Sequence, residues 1–304
     1  MPEPIPHVDV ELEDLTGRLV ELIQPGTNME RIAGGLAFTE GPVWRGDHLL
    51  FSDIPNDRIC RWRERPEGPE LTTFRAFNGK TNGLTLDLEG RLLGCTHEAR
   101  AVLRFEHDNQ PTPIATHYED HRLNSPNDLI VARDGSIYFT DPPYGIDALP
   151  PEAKEQPING VYRLGADGLL DLITDRFVRP NGLAFSPDEK TLYIGDSGGP
   201  RDIWAFDIAD DGQLSNQRQF VDMDFHEEPS NPDGMKCDRA GRLWSTGPGG
   251  VWVMETDGSV VGRIKFPEQP ANLAWGGPKW STLFVTARSS VYRIETLCPG
   301  VQVP

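Results

Sequence analysis

The chain has 304 residues, 37% of them hydrophobic, enough for a large core, and 31 glycines and 27 prolines that call for many turns. A formal net charge of −18 sets the surface against phosphate backbones and anionic lipid, so nucleic-acid and membrane partners are not expected. No apolar run approaches the length of a membrane span, and four scattered cysteines, Cys60, Cys95, Cys237 and Cys298, form no metal-binding pair and read as reduced, packed thiols.

In chain order, the opening "MPEPIPHVDVELEDLTG" is acidic and proline-bearing, unlike a secretory signal. It reads as a loose arm over 1–16 at a cytoplasmic start, ahead of one domain over 17–304. Next, "MERIAGG" has strand character, and at Thr39 a pattern begins that recurs through the chain. Its copies are "TEGPVWRGDHLLFSD", "TNGLTLDLEGRLLGCT", "SPNDLIVARDGSIYFTD", "RPNGLAFSPDEKTLYIGD", "NPDGMKCDRAGRLWSTG" and the weaker "PANLAWGGPKWSTLFVTA". Each is a polar residue, an apolar strand, a hairpin turn such as Glu89-Gly90 or Asp134-Gly135, and a second strand. A third short strand follows each copy, as in "RICRW", "AVLRF" and "GVYRL".

The leading polar residues are Glu40, Asn82, Asn127, Asn181, Asp233 and Asn272, at gaps of 42, 45, 54, 52 and 39. Six blade-sized copies specify an all-β, six-bladed β-propeller in one domain. The segment "MERIAGG" is expected to complete the last blade and leave the ring without a free edge. The longer gaps reflect insertions, notably residues 142–159.

The first strand of every propeller blade lines the central channel, so residues at one phase of the repeat meet at one height. Two carboxylates and several amides there are hard oxygen donors suited to calcium or a similar divalent ion. Asparagine and aspartate beside glycine or proline also serve as turn and cap residues. Turn chemistry alone does not account for six in phase with acids at two of them. A second ring, Asp53, His97, Asp141, Asp196 and Arg288, falls at the ends of the second strands, where "SD", "TD" and "GD" either cap strands or supply a base and substrate contacts.

At these residues the chain resembles the SMP-30/gluconolactonase/LRE family, in its bacterial gluconolactonase-like branch. The matching stretches are "TEGPVW", "TNGLTLDLEGRL", "LNSPNDLIVARDGSIYFTDPPYG", "RPNGLAFSPDEKTLYIGDSG" and "PDGM", spread over nearly the whole chain. The resemblance implies a six-bladed propeller with one catalytic divalent metal on the axis, commonly calcium, with zinc, manganese or iron(II) serving in some members. It implies Glu40, Asn181 and Asp233 as metal ligands, with Asn127 a fourth ligand or a close substrate contact. It also implies a carboxylic ester hydrolase that opens sugar lactones; relatives on the scaffold cleave other lactones or organophosphates. The segment "CTHEAR" departs from the family pattern by placing Thr96 before His97 where an acid is common.

For lactone hydrolysis the attacking water needs a base, with Asp196 or Asp233 first and His97 and Asp141 behind them. A carboxylate that also binds the cation is a weak base, which favours Asp196. Asn82, Asn127, His97 and Arg100 are expected to hold sugar hydroxyls, Asp141 to touch substrate, and Tyr144 with the 142–159 insertion to cover the mouth as a lid. No Gly-x-Ser-x-Gly elbow appears, so a serine-hydrolase route has no support. A non-catalytic propeller that binds protein partners is the competing reading. The expected partner is a small lactone, and the chain is expected to act as a monomer or homodimer.

Overall fold

In the computed structural model, which describes residues 7–108, 110–199 and 201–303, the repeats form antiparallel sheets radiating from one axis. Blade 1 runs from the axis outward as Thr39–Arg45, His48–Asp53, Arg58–Arg65 and Gly68–Ala76. Blades 2, 3 and 4 begin at Thr81–Leu86, Leu129–Val131 and Pro180–Phe185 and have the same four-stranded order. Blades 5 and 6 begin at Met235–Cys237 and Pro270–Gly276, and each has five strands.

The inner two strands of each blade are largely buried on both faces; in His48–Asp53 the apolar Leu49, Leu50 and Phe51 are buried together with the polar Ser52 and Asp53. Outer strands show one face to water, and Gly68–Ala76 accordingly alternates half-buried with exposed residues. The core is divided among the seams between blades. Phe51, Trp62, Phe284 and Val291 fill the seam between blades 6 and 1, and Trp244, Val251, Leu273 and Trp275 fill that between blades 5 and 6. No helix among the described residues is long and apolar enough to cross a membrane.

Asn28–Ala33 pairs with Ser290–Glu295 as the fourth strand of blade 6, closing the ring as the sequence leads one to expect. The acidic segment before it is more ordered than a loose arm. His7–Asp9 pairs with Asn28–Ala33, and Glu11–Asp14 pairs with Val260–Lys265 as a fifth strand of blade 5. Its acids meet bases that the first sixteen residues alone do not reveal: Glu13 accepts from Arg263 Nε at 2.7 Å, and Glu11 from Lys265. Residues 1–6 of the expected arm lie outside the described residues. All four cysteines are buried and unpaired.

Glycine follows the leading polar residue in four copies, as Gly41, Gly83, Gly182 and Gly234. Each sits against the next blade's backbone or polar residue, where a Cβ has no room. A Cβ on Gly182 would lie 1.9 Å from the Asp233 carbonyl oxygen, and one on Gly234 would lie 2.0 Å from Asn272 Cγ. The absence of side chains at this phase lets the inner strands approach closely enough to crowd their polar neighbours around one axis.

Candidate active site

The first-strand residues Glu40, Asn82, Asn127, Asn181 and Asp233 line one cavity of about 460 Å³ at the mouth of the channel. Phe38, Ile54 and Pro55 form an apolar wall, and His97, Tyr144, Ser197, Ser230 and Asn231 complete it. The sixth residue of the phase departs from the expected ring. Asn272 turns its amide nitrogen inward, donating to Glu40 Oε2 at 2.9 Å and to Asp128 Oδ2 at 3.3 Å, while its Oδ1 accepts from Leu273 N. It supports Glu40 and is not among the cavity-lining residues.

Burial governs the charges. Glu40 also accepts from Gly41 N at 2.5 Å, yet burial, followed by the negative Asp128, pushes its carboxyl up to about 7. Asp233 is pushed well above its ordinary value by burial, then by Glu40 and Asp128. Carboxylates gathered this closely without a counter-charge are costly.

The neighbouring amides carry oxygens with nothing to accept. Asn181 Nδ2 donates to Ser197 Oγ at 3.0 Å, and that hydroxyl donates to the Pro232 carbonyl at 2.6 Å, which fixes the amide's orientation. Asn181 Oδ1 is buried without a hydrogen-bond partner. Asn82 Nδ2 donates to His97 Nε2 at 3.1 Å, and Asn82 Oδ1 is likewise buried and unpartnered. Buried polar atoms left this way are uncommon and mark a place for a ligand or water. Two carboxylates beside unsatisfied amide oxygens fit a hard divalent cation. Among the described residues no three histidine, cysteine, aspartate or glutamate side chains form a metal cluster by themselves, so amide oxygens would have to complete the set.

The second ring resolves differently from its sequence pattern. Asp196 Oδ2 accepts from Val178 N and Oδ1 from Arg179 N and Gly198 N, each at 2.9 Å. Asp141 Oδ2 accepts from Asn124 N at 2.7 Å, and Asp53 Oδ1 from Ala37 N at 3.0 Å. In blades 1, 3 and 4 the aspartate clamps the loop that leads into its own first strand. Asp196 and Asp141 do not line the cavity, which removes the geometric basis for a base at Asp196 or a substrate contact at Asp141. Arg288 is not in the lining either. Asp196→Asn should therefore cost about 1–3 kcal/mol of stability through the lost clamp, with kcat falling less than tenfold at 25 °C; urea titration and steady-state assays check both.

Blade 2 breaks the clamp. Its equivalent residue, His97, faces the cavity, and burial, with Lys80 beside it, lowers its pKa to about 4. Since Nε2 accepts from an amide N–H, the neutral ring carries its proton on Nδ1. A histidine whose folded pKa lies below its unfolded one adds stability at neutral pH that is lost as pH falls from about 6.5 to about 4. His97→Gln should flatten that part of the profile, which urea midpoints at pH 7 and 4.5 would show.

Arg100 is a structural residue as well. It is buried, and its Nε donates to the Leu123 and Asn124 carbonyls at 2.7 and 2.9 Å, away from the cavity. Only the start of the 142–159 insertion reaches the mouth. Ser125 Oγ donates to the Pro142 carbonyl at 2.6 Å and accepts from Gly145 N at 2.8 Å. Arg179 pairs with Asp147 at 2.6 Å and lies over the Tyr144 ring at 5.0 Å. The loop is thus a pinned wall bearing Tyr144. The remainder turns to the outside, where Gln156 Nε2 donates to the Tyr118 and His121 carbonyls.

Asp128 is the residue that sequence reasoning missed. It is buried at the hub beneath Glu40 and occupies the phase that holds glycine in four of the other blades. A lone acid at a glycine phase was the available signal.

Comparison with known proteins shows the family. Residues 38–289 match the family model described as the SMP-30/gluconolactonase/LRE-like region. A gluconolactonase of Zymomonas mobilis is 34% identical over 92% of this chain and 84% of its own length. The pentonolactonase XacC of Haloferax volcanii is 28% identical over 81% of this chain and 80% of its own. The solved structure of a Xanthomonas campestris gluconolactonase superposes with a TM-score of 0.86 at 34% identity, covering 97% of this chain and 99% of that one. With the match extending from the first blade into the last, this chain belongs to the SMP-30/gluconolactonase/LRE-like family.

Proposed function

We propose that the protein hydrolyses a sugar lactone, glucono-1,5-lactone or a close relative, to the aldonic acid, with one divalent cation held by Glu40, Asn127, Asn181 and Asp233. Calcium is the first candidate because every donor is a hard oxygen, and no histidine or cysteine belongs to the set. The observation that carries the reading is one buried wall on which two carboxylates stand beside the unpartnered oxygens of Asn82 and Asn181. The lactonase names of the relatives above support the substrate class.

When bound, such a cation polarises a carbonyl and stabilises the negative charge that develops on its oxygen. The chain's own groups have distinct tasks. With Asp196 off the cavity, Asp233 is the carboxyl left to take a proton from the attacking water as oxygen bonds to the lactone carbon. Its share in holding the cation makes it a weaker base than a free carboxylate. As the carbon–ring-oxygen bond breaks, the same carboxyl can return the proton to the departing oxygen. Asn82, held by His97, offers Oδ1 to a sugar hydroxyl, and Phe38, Ile54 and Pro55 cover the C–H face of the ring.

The test is metal-free protein reconstituted with one ion at a time and followed by proton release on glucono-1,5-lactone. Acyl-homoserine lactones and paraoxon belong in the same panel. Activity that returns with calcium and is greatest on aldonolactones supports the reading. Full activity after exhaustive chelation rules out the cation, and preference for paraoxon rules out the substrate.

A further inference from the structure

Beneath the cavity lies a charged layer that the chemistry above does not use. Asn272 Nδ2 bridges Glu40 Oε2 at 2.9 Å and Asp128 Oδ2 at 3.3 Å, so Glu40 and Asp128 are tied through one amide. Lys236 approaches the same hub from the far end of the axis. It lines a second cavity of about 260 Å³ there, among apolar residues such as Val131, Phe185 and Val301. Val301 and Val303 also pack beside it in the channel. The Lys236 ammonium donates to the Met235 carbonyl at 2.9 Å and forms no ion pair within 4 Å among the described residues. Its positive charge lowers the carboxyl pKa of both Glu40 and Asp128, against the larger upward push of burial.

The charges can be counted. Burial favours the neutral forms of Glu40, Asp128 and Asp233, but with all three ionised around a bound cation they bring three negative charges to the hub against one positive charge from Lys236. Two negative charges are left over, which one divalent ion neutralises and a monovalent ion does not.

Resting on the cation reading above, we propose that Asp128 and Lys236 are positioning residues that set the charge of the hub so that a single divalent cation completes it, neither residue touching that ion. Asp128 strengthens the site by adding negative charge and by holding the Asn272–Glu40 bridge. Lys236 weakens it by placing a positive charge near the same carboxylates.

The experiment is calorimetric titration of calcium into chelated wild type, Asp128→Asn, Lys236→Met and the double variant, with thermal melts to establish folding. Asp128→Asn should bind calcium about 10- to 100-fold more weakly. Lys236→Met should bind it about tenfold more tightly, and the double variant should return to within about threefold of wild type. Weaker binding in both single variants, with their losses adding in the double, would reveal a packing role and overturn the proposal. Should Asp128→Asn fail to fold, the sign of the Lys236→Met effect still decides: unchanged or weaker binding overturns it. Wild type that binds no divalent ion would instead defeat the cation reading, and this inference with it.

Discussion

Replacing Glu40 by glutamine or Asp233 by asparagine is expected to lower kcat/KM on glucono-1,5-lactone by about a thousandfold or more, roughly 4 kcal/mol of transition-state stabilisation. Both substitutions keep shape and remove charge, so packing at the inner strands is preserved while the cation loses one of its two carboxylates. Neither change should destabilise the metal-free fold. The two carboxyls are buried and each is disfavoured by its neighbours, so a neutral amide relieves repulsion. Metal-free Asp233→Asn is therefore expected to melt no lower than metal-free wild type, while the calcium-dependent rise in Tm is lost. Full activity and full metal content in both variants would end the assignment.

Gly182→Ala is expected to cost at least about 3 kcal/mol and to leave little soluble protein. The added carbon would stand 1.9 Å from the Asp233 carbonyl oxygen, which belongs to the backbone and cannot swing aside. Relief requires blades 4 and 5 to separate at the hub, where Asn181 and Asp233 also meet. Gly90→Ala is the comparison. That hairpin glycine has φ +72° with nothing within 4 Å of a Cβ, so only left-handed backbone strain of about 1 kcal/mol applies. Urea denaturation of both variants separates crowding from strain; equal losses would refute the crowding account.

The repeat made the propeller legible because a blade phase is a geometric address. Once six copies align, residues such as Glu40, Asn181 and Asp233 must share a height on the axis. Phase does not say which way a side chain turns at that height. Asn272 has the right address but presents its nitrogen, and Asp196 has the right chemistry but spends both oxygens on Val178, Arg179 and Gly198. Arg100 is misleading for the same reason, since a buried guanidinium serving backbone carbonyls looks like a substrate contact in sequence. The acidic start hid its strands because their partners, Arg263 and Lys265, lie about 250 residues away. Asp128 broke a glycine phase, and only the packed hub shows that the exception holds an additional charge beneath Glu40.

Blade 6 joins strands far apart in sequence, with Arg293 and Glu30 paired across a separation of 263 residues. During translation the strand at 28–33 has only His7–Asp9 beside it until Ser290–Glu295 has left the ribosome. The wheel therefore acquires its last seam late, and folding carries the slow search typical of distant contacts. Once that clasp is made, neither the early nor the late strand can leave without unfastening a sheet that both share, so the circle resists opening at this seam.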